Sequence, residues 1–418
     1  MGVDDPHEFE RELRKERQRL QDANIPDADR DAILTWARRR DGSVAVSTLG
    51  TYLMRLRRVA GMSSTPLVDL DRDDYHDLLF ALRHDTSLSD TTIRNYEDTL
   101  CLWLSDYRGL DWPGDVDRTE RDSTGPDPED MLEQTEIQRL LSACTSQRDI
   151  ALIEFLADTA ARIGLACSLR VQDVELDADR PVYRPNPNSL ANKDVDIVER
   201  PLIDSRAAIR TFLRQAHPRA NEPEAALFHK QKAYGDSIEE DDGVLNPSAL
   251  RQHLKRIGER AGIDKPVNPH NFRHSAVTRL AREGYTRSEI EHRTGWTVNT
   301  DMWDDYQHLT AEQHNDDILS RAGVVDEDDG PDATRHPCGN CGETLAPHHD
   351  YCPNCGDAVS RSAREDLDES TDTILTEIVE ATDAQTREEL RTLLDAVEEQ
   401  PSAHGDTSSE PKSKSSSE

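Results

Sequence analysis

The chain is poor in lysine, in aromatic residues and in long apolar runs. Of its 50 basic residues 8 are Lys, leaving 42 Arg, and 84 acidic residues outweigh them to a formal net charge of −34 at pH 7. That balance argues against binding a polyanion by bulk charge, so any nucleic-acid contact has to come from local basic surface. No run approaches the ~18 apolar residues of a transmembrane helix, so no membrane partner is expected. The first residues, MGVDDPHEFERELRKERQRLQ, lack the apolar core of a signal peptide, and a cytoplasmic location follows as the expectation. Aromatics are only 5%, yet 35% hydrophobic content still supports globular cores, and 418 residues suggest two or three domains. Acidic residues spread through every segment, with Arg favoured over Lys, suggest a protein adapted to molar salt, as in a halophilic archaeon. In such salt counterion release contributes little, and fitted arginine forks, base-edge contacts and shape would have to carry any nucleic-acid binding.

What is present divides the chain. Residues 1–110 read as a small helical domain. In STLGTYLMRLRRVAG, Leu49, Tyr52, Leu53, Leu56 and Val59 share one helical face, with Ser47 as a candidate N-cap and Gly61 as a candidate C-terminal stop. A later helix places Ile93, Tyr96, Leu100, Trp103 and Leu104 inward, capped by Ser89 or Asp90. Residues 111–130 carry Pro, Gly and charge and read as a linker. A second, α+β domain spans 131–323. Val182, Tyr183, Val195 and Ile197 alternate with polar residues there, predicting a small sheet with Asn192, Lys193 and Asp194 at a strand-edge turn, and helix is expected again from Pro201 to Arg214. HKQKAYGDSIEEDDGVLN reads as an exposed excursion. From Pro247 to Thr300 ten Lys or Arg face five acids, a positive island in a negative chain and the expected phosphate-facing surface. Residues 335–358 hold a cysteine cluster, 359–400 read as an acidic helical segment, and 401–418 as a disordered tail.

One stretch, HNFRHSAVTRLAREGYTRSEIEHRTGWTVNTDMWDDY from His270 to Tyr306, carries a His-x-x-Arg pair, a Gly-Trp pair and a tyrosine. Upstream stand Thr159-Ala160-Ala161-Arg162 and Leu169-Arg170-Val171-Gln172-Asp173. This order resembles the tyrosine recombinase, or phage integrase, family over about residues 45–323. The resemblance implies a mainly α fold with a small β-sheet: an N-terminal core-binding (SAM-like) domain and an α+β catalytic domain, followed here by a zinc ribbon and an acidic helical tail. It also implies catalytic roles for Arg162, Lys193, His270, Arg273, Trp296 and Tyr306. The chain departs from the family pattern at Leu165, where a carboxylate is usual, at Ala160, where glycine is usual, and in the ten-residue step from Trp296 to Tyr306.

The residue types suit the chemistry that the resemblance implies. A tyrosine with pKa near ~10 is almost wholly protonated at neutral pH and needs a base, the role of His270. Attack on phosphorus builds charge on its nonbridging oxygens, which the forks of Arg162 and Arg273 and the Trp296 N–H would hold. Lys193 would protonate the leaving 5′ oxygen. The scheme calls for no metal at the cleavage step. The implied function is a site-specific recombinase or integrase that cuts and rejoins double-stranded DNA through a 3′-phosphotyrosyl intermediate, working as a synaptic homotetramer. A recombinase-fold DNA-binding protein that no longer cuts, and a type IB-like topoisomerase, remain open alternatives.

Seven cysteines complete the inventory. Cys101, Cys144 and Cys167 are scattered and read as plain buried residues. Cys338-x-x-Cys341 and Cys352-x-x-Cys355, ten residues apart and each followed by glycine (Gly342, Gly356), have the spacing of a structural, tetrahedral Zn2+ site. His348 and His349 lie between the pairs and read as loop.

Overall fold

The computed structural model describes residues 2–84, 86–120, 127–177, 180–192, 195–230, 243–296, 303, 335–360, 363–364 and 367. Residues 231–242 of the expected excursion, most of the acidic helical segment and the tail lie outside them, while the excursion's ends are not exposed: His229 bridges to Val244, and Val244 and Leu245 are buried. Five helices form the amino-terminal unit: α1 (Phe9–Gln21), α2 (Asp27–Arg40), α3 (Val46–Met62), α4 (Arg72–His84) and α5 (Asp90–Arg108). Their apolar faces meet in a core built around Trp36, Leu53, Leu56, Tyr75, Trp103 and Leu104. Ser89 caps α5 as expected, accepting from the Thr92 N–H. For α3 the expected ends are corrected. Ala45, not Ser47, is the cap, and the helix runs through Gly61 to Met62. It stops where Ser63 turns extended and its hydroxyl donates to the Thr65 carbonyl.

The start of the expected linker packs on this unit. Thr119 donates from both its backbone N–H and its hydroxyl to Glu97, and Arg118 donates to Asp98 at 2.8 Å. The first residues reach the other way. Asp4 accepts from the Asn186 amide at 2.8 Å, and Val3 is buried with Ala226 and Val244. The first residues thus tie the amino-terminal unit to its neighbour.

The second unit holds α6 (Gln134–Ser142), α7 (Gln147–Thr159), α8 (Ile163–Ser168), α9 (Arg206–Gln215), α10 (Pro247–Arg260), α11 (Pro269–Arg282) and α12 (Arg287–Thr294). A three-stranded antiparallel sheet of β1 (Val174–Glu175), β2 (Val182–Tyr183) and β3 (Arg200–Pro201) sits beside them, with Val174 opposite Tyr183 and Val182 opposite Pro201. β2 falls where the alternation placed it. The third strand does not, because Val195 and Ile197 belong to a compact loop. Arg200 draws that loop in by donating to the Asp196 and Val198 carbonyls, and pairing with β2 begins only at Arg200. The helix expected from Pro201 starts at Arg206, since the buried carboxylate of Asp158 takes the N–H groups of Ile203 and Ser205. Leu140, Leu152, Phe155, Leu156, Ile209, Phe212, Leu254 and Phe272 form the core. A third, small unit pairs β4 (His336–Pro337) with β5 (Thr344–Leu345) and carries the cysteine cluster.

Candidate active site

α7 begins at Ser146, whose hydroxyl accepts from the Asp149 N–H, and ends at Ala160 in the left-handed conformation (φ 55°, ψ 24°). A Cβ in that region costs roughly 1–2 kcal/mol, which is why glycine suits the position. The turn exposes Arg162 as the residue before α8. Gly164 follows where a Cβ would lie 2.9 Å from the Ala191 Cβ and 2.8 Å from His7 Nε2, so only glycine fits there. Leu165, at the position expected to carry a carboxylate, is buried in the core. Asp173 holds the Arg170 guanidinium through two bonds of 3.0 and 2.9 Å and accepts the Arg170 N–H at 2.8 Å. The Leu-Arg-x-x-Asp run is therefore a structural staple that fixes the chain leading into β1.

α11 begins with the Asn268 side chain accepting the N–H groups of His270 and Asn271, and with Pro269 in the first turn. His270 is exposed at this end. Its Nε2 lies 2.7 Å from the Nε2 of His274, one helical turn on. Burial, together with the neighbouring His270 and Arg273, pushes His274 down to about 4, so that ring is neutral at pH 7. Arg273 lies on the inner side with 6% of its surface exposed. Its Nη1 donates to the Ala160 carbonyl at 2.7 Å and to the Thr294 carbonyl at 2.9 Å. The same guanidinium stacks 5.2 Å from the centre of the Trp296 ring. One arginine thus joins the turn before Arg162, the His-x-x-Arg helix and the Gly-Trp turn.

α12 is framed by a capping box between Thr286 and Glu289 and ends at Gly295, φ 66°. The Arg200 guanidinium lies under Gly295, where a Cβ would meet it at 3.1 Å, and Arg200 Nε donates to the His292 carbonyl at 2.9 Å. Trp296 is buried, perpendicular to Trp303 at 5.4 Å, and Trp303 Nε1 donates to Glu291 at 2.9 Å. Four of the expected site residues, Arg162, His270, Arg273 and Trp296, are therefore described. Lys193 and Tyr306 lie outside the described residues.

Sequence reasoning missed two carboxylates. Asp158 accepts from Arg293 at 2.5 Å and from the Ser205 hydroxyl at 2.7 Å, locking α12 and α9 to α7. Glu154, one turn earlier, is buried against His348 and His349. The signal available for both was an acid inside the apolar run IALIEFLADTA, since a buried charge needs a partner.

The four cysteines of the third unit converge. Sγ of Cys338 is 3.7 Å from that of Cys355, and Cys341 Sγ is 3.5 Å from Cys352 Sγ. All four lie within 4.8 Å of one another. Four thiolates around Zn2+ at ~2.3 Å have edges of about 3.8 Å, so the set fits a closed tetrahedral site. Gly342 and Gly356 both take positive φ, 74° and 78°, closing matching knuckles. The three other cysteines are free thiols. Cys101 and Cys167 are buried as expected, whereas Cys144 is half-buried; burial pushes Cys101 up and raises Cys144 and Cys167 to about 12, so all three stay thiols at pH 7.

Residues 130–313 match the phage integrase family. A tyrosine recombinase XerD of Corynebacterium glutamicum is 31% identical over 166 residues, covering 40% of this chain and 49% of that protein. A tyrosine recombinase XerA of Thermococcus kodakarensis is 30% identical over 183 residues, covering 43% of this chain and 58% of that protein. The chain thus spans about half the length of these curated relatives. The structure of the Tn1549 transposon integrase in complex with transposon right end DNA covers 70% of this chain and 98% of its own, with TM-score 0.50 and 17% identity. The fold, mainly helical with small sheets, is that of tyrosine recombinases. No helix among the described residues is long and apolar enough to cross a membrane.

Proposed function

We propose that the chain is a tyrosine-type DNA strand transferase, a site-specific recombinase or integrase that cleaves double-stranded DNA through a 3′-phosphotyrosyl intermediate and rejoins it. The observation that carries this reading is Arg273. It is buried, pinned by two backbone carbonyls and stacked on Trp296, where it ties together three separate motif segments.

Tyr306 is the nucleophile. His270 takes its proton through Nδ1, because His270 Nε2 faces His274. The imidazolium so formed donates its Nε2–H to neutral His274, which keeps the proton on the pair. Arg162 and Arg273 bind the nonbridging oxygens of the pentavalent phosphorus, and the charge that builds there strengthens both contacts in the transition state. Lys193 protonates the departing 5′ oxygen. The phosphotyrosyl bond conserves the energy of the phosphodiester, so a 5′-hydroxyl of a second strand reverses the step without a nucleotide cofactor. Exchange between two duplexes calls for a homotetramer. Cys338, Cys341, Cys352 and Cys355 hold a structural Zn2+ away from this chemistry. The acidic, lysine-poor surface fits a cytoplasm of molar salt, that of a halophilic archaeon.

The test is a suicide DNA substrate in high KCl with EDTA, analysed on a denaturing gel. Wild type is expected to give a protein–DNA adduct, and Arg273→Ala is expected to reduce it by at least about 100-fold, the usual cost of losing a fitted transition-state donor. Specific DNA binding without any adduct would establish the non-cutting alternative instead.

A further inference from the structure

The cysteine unit does not stand apart from the catalytic unit. Glu154 of α7 is 1% exposed and faces two imidazoles from the loop between the cysteine pairs. His348 Nε2 lies 3.0 and 3.1 Å from its two carboxylate oxygens, and His349 Nε2 lies 2.8 Å from one of them. Around this centre Arg210 of α9 donates to Glu343 at 2.6 Å, Gln138 of α6 bonds Asp350, and Thr211 of α9 bonds the Pro353 carbonyl. Arg335, just before β4, pairs with Asp204 at 2.6 and 3.0 Å.

Two observations decide what this contact is. The first is charge. Residues 335–358 contain one basic side chain other than histidine, Arg335, against three carboxylates, Glu343, Asp350 and Asp357, and Arg335 is spent on Asp204. A phosphate-reading module needs the opposite balance. The second is the tautomer of His349. Its Nδ1 accepts the Ala346 N–H at 3.2 Å, so its hydrogen sits on Nε2 and is given to Glu154. An Nε2 that bears hydrogen is not a metal ligand, so the buried Glu154–His348–His349 cluster is a hydrogen-bonded latch and not a second metal centre.

The latch sits on the helix that positions the catalytic turn. Glu154 and Asp158 are one turn apart on α7, so they share a face. Within the same stretch Ala157 accepts from Arg279 of α11, Asp158 from Arg293 of α12, and Ala160 from Arg273. We propose that the four-cysteine unit is a brace for the catalytic domain and not a second DNA-reading module, and that Glu154 is the positioning residue through which it acts on α7 and the Ala160–Arg162 turn. The effect on cleavage rests on the recombinase reading above; the docking and its effect on α7 do not.

The test uses the full-length, zinc-loaded protein and the double variant His348→Ala/His349→Ala, which leaves every residue of the catalytic unit in place. Hydrogen exchange of the amides in the last two turns of α7 is expected to quicken by at least about tenfold as the ribbon releases. Adduct formation on the suicide substrate is expected to slow by at least about tenfold, since small misplacements of a catalytic group carry costs of that order, while DNA affinity stays within about twofold. Glu154→Gln alone, which keeps an acceptor for the His349 Nε2–H but removes the charge facing His348, is expected to lose less of both signals than the double variant. Removing zinc from the wild type with a chelator is expected to reproduce the loss, and returning Zn2+ to reverse it; this arm stands if the double variant fails to fold. Unchanged exchange in α7 on releasing the ribbon would overturn the brace, as would DNA affinity falling in step with cleavage. Two zinc ions per chain would overturn the latch. A wild type that makes no adduct would sink the recombinase reading alone, and the exchange arm would still decide the brace.

Discussion

In the amino-terminal unit several ion pairs lie on open helix faces, as between Arg14 and Glu10 and between Lys15 and Glu12. The second unit does the reverse. Among the described residues the buried arginines are Arg148, Arg170, Arg200, Arg210, Arg273 and Arg293, all in that unit. Four of them meet carboxylates and two, Arg200 and Arg273, are held by backbone carbonyls. The difference matters for a chain this acidic. Exposed pairs contribute about 0–1 kcal/mol and are screened by salt, whereas buried pairs are screened little and hold their geometry. The first unit therefore keeps part of its charge in surface pairs that salt weakens, and the second uses buried arginines as fixed struts between its helices and turns.

The comparison is broken most severely at Asp158. Asp158→Ala strands the buried guanidinium of Arg293 and removes the anchor of Ile203 and Ser205, and a loss of about 3–5 kcal/mol is expected in denaturant unfolding, in high KCl as well as low. Gly164→Ala drives a Cβ against Ala191, and about 1–3 kcal/mol of destabilisation is expected by the same measurement. Ala160→Gly acts with the opposite sign. It relieves a left-handed alanine at the turn before Arg162, and a gain of about 1 kcal/mol is expected, with adduct formation retained.

A pH effect sharpens the account of the latch. Burial alone would depress His348, but the facing carboxylate of Glu154 outweighs it and holds the ring above its ordinary value. His349, Asp204 and Arg279 are the other ionisable or charged groups around it. A raised histidine contributes fully below about pH 6.5 and loses its contribution as pH climbs through the raised value. Limited proteolysis between pH 6 and pH 9 should find the ribbon released first on the alkaline side. Smallest of all is Arg14→Ala in the amino-terminal unit, whose pair with Glu10 is exposed on both sides, with less than about 1 kcal/mol expected in denaturant unfolding at low salt and less again in molar KCl.

The sequence made legible whatever depends on short spacing. The cysteine pairs, the His270–Arg273 helix, the inward face of α5 and the β2 strand all follow from residue type and period. What it hid were contacts made by groups without a signature. Arg273 is held by the carbonyls of residues 160 and 294, and a backbone carbonyl looks the same in any residue. Glu154 lay inside an apolar helix whose period already explained the core, so its need for a partner was overlooked. The third strand was misplaced because Val195 and Ile197 alternate well, while the long-range reach of Arg200 to α12 decided where pairing starts. Ala160 was noticed as a departure from glycine, but its cost shows only in the backbone angle.

The central claim, that Arg162, His270, Arg273 and Trp296 serve a tyrosine nucleophile, is tested most directly by trapping the adduct on a suicide substrate, digesting it and locating the DNA-linked peptide by mass spectrometry. The account predicts a 3′-phosphoryl linkage on Tyr306 and no adduct from Tyr306→Phe, which should still bind the same DNA. A linkage on any other residue, or an adduct that survives Tyr306→Phe, would contradict it.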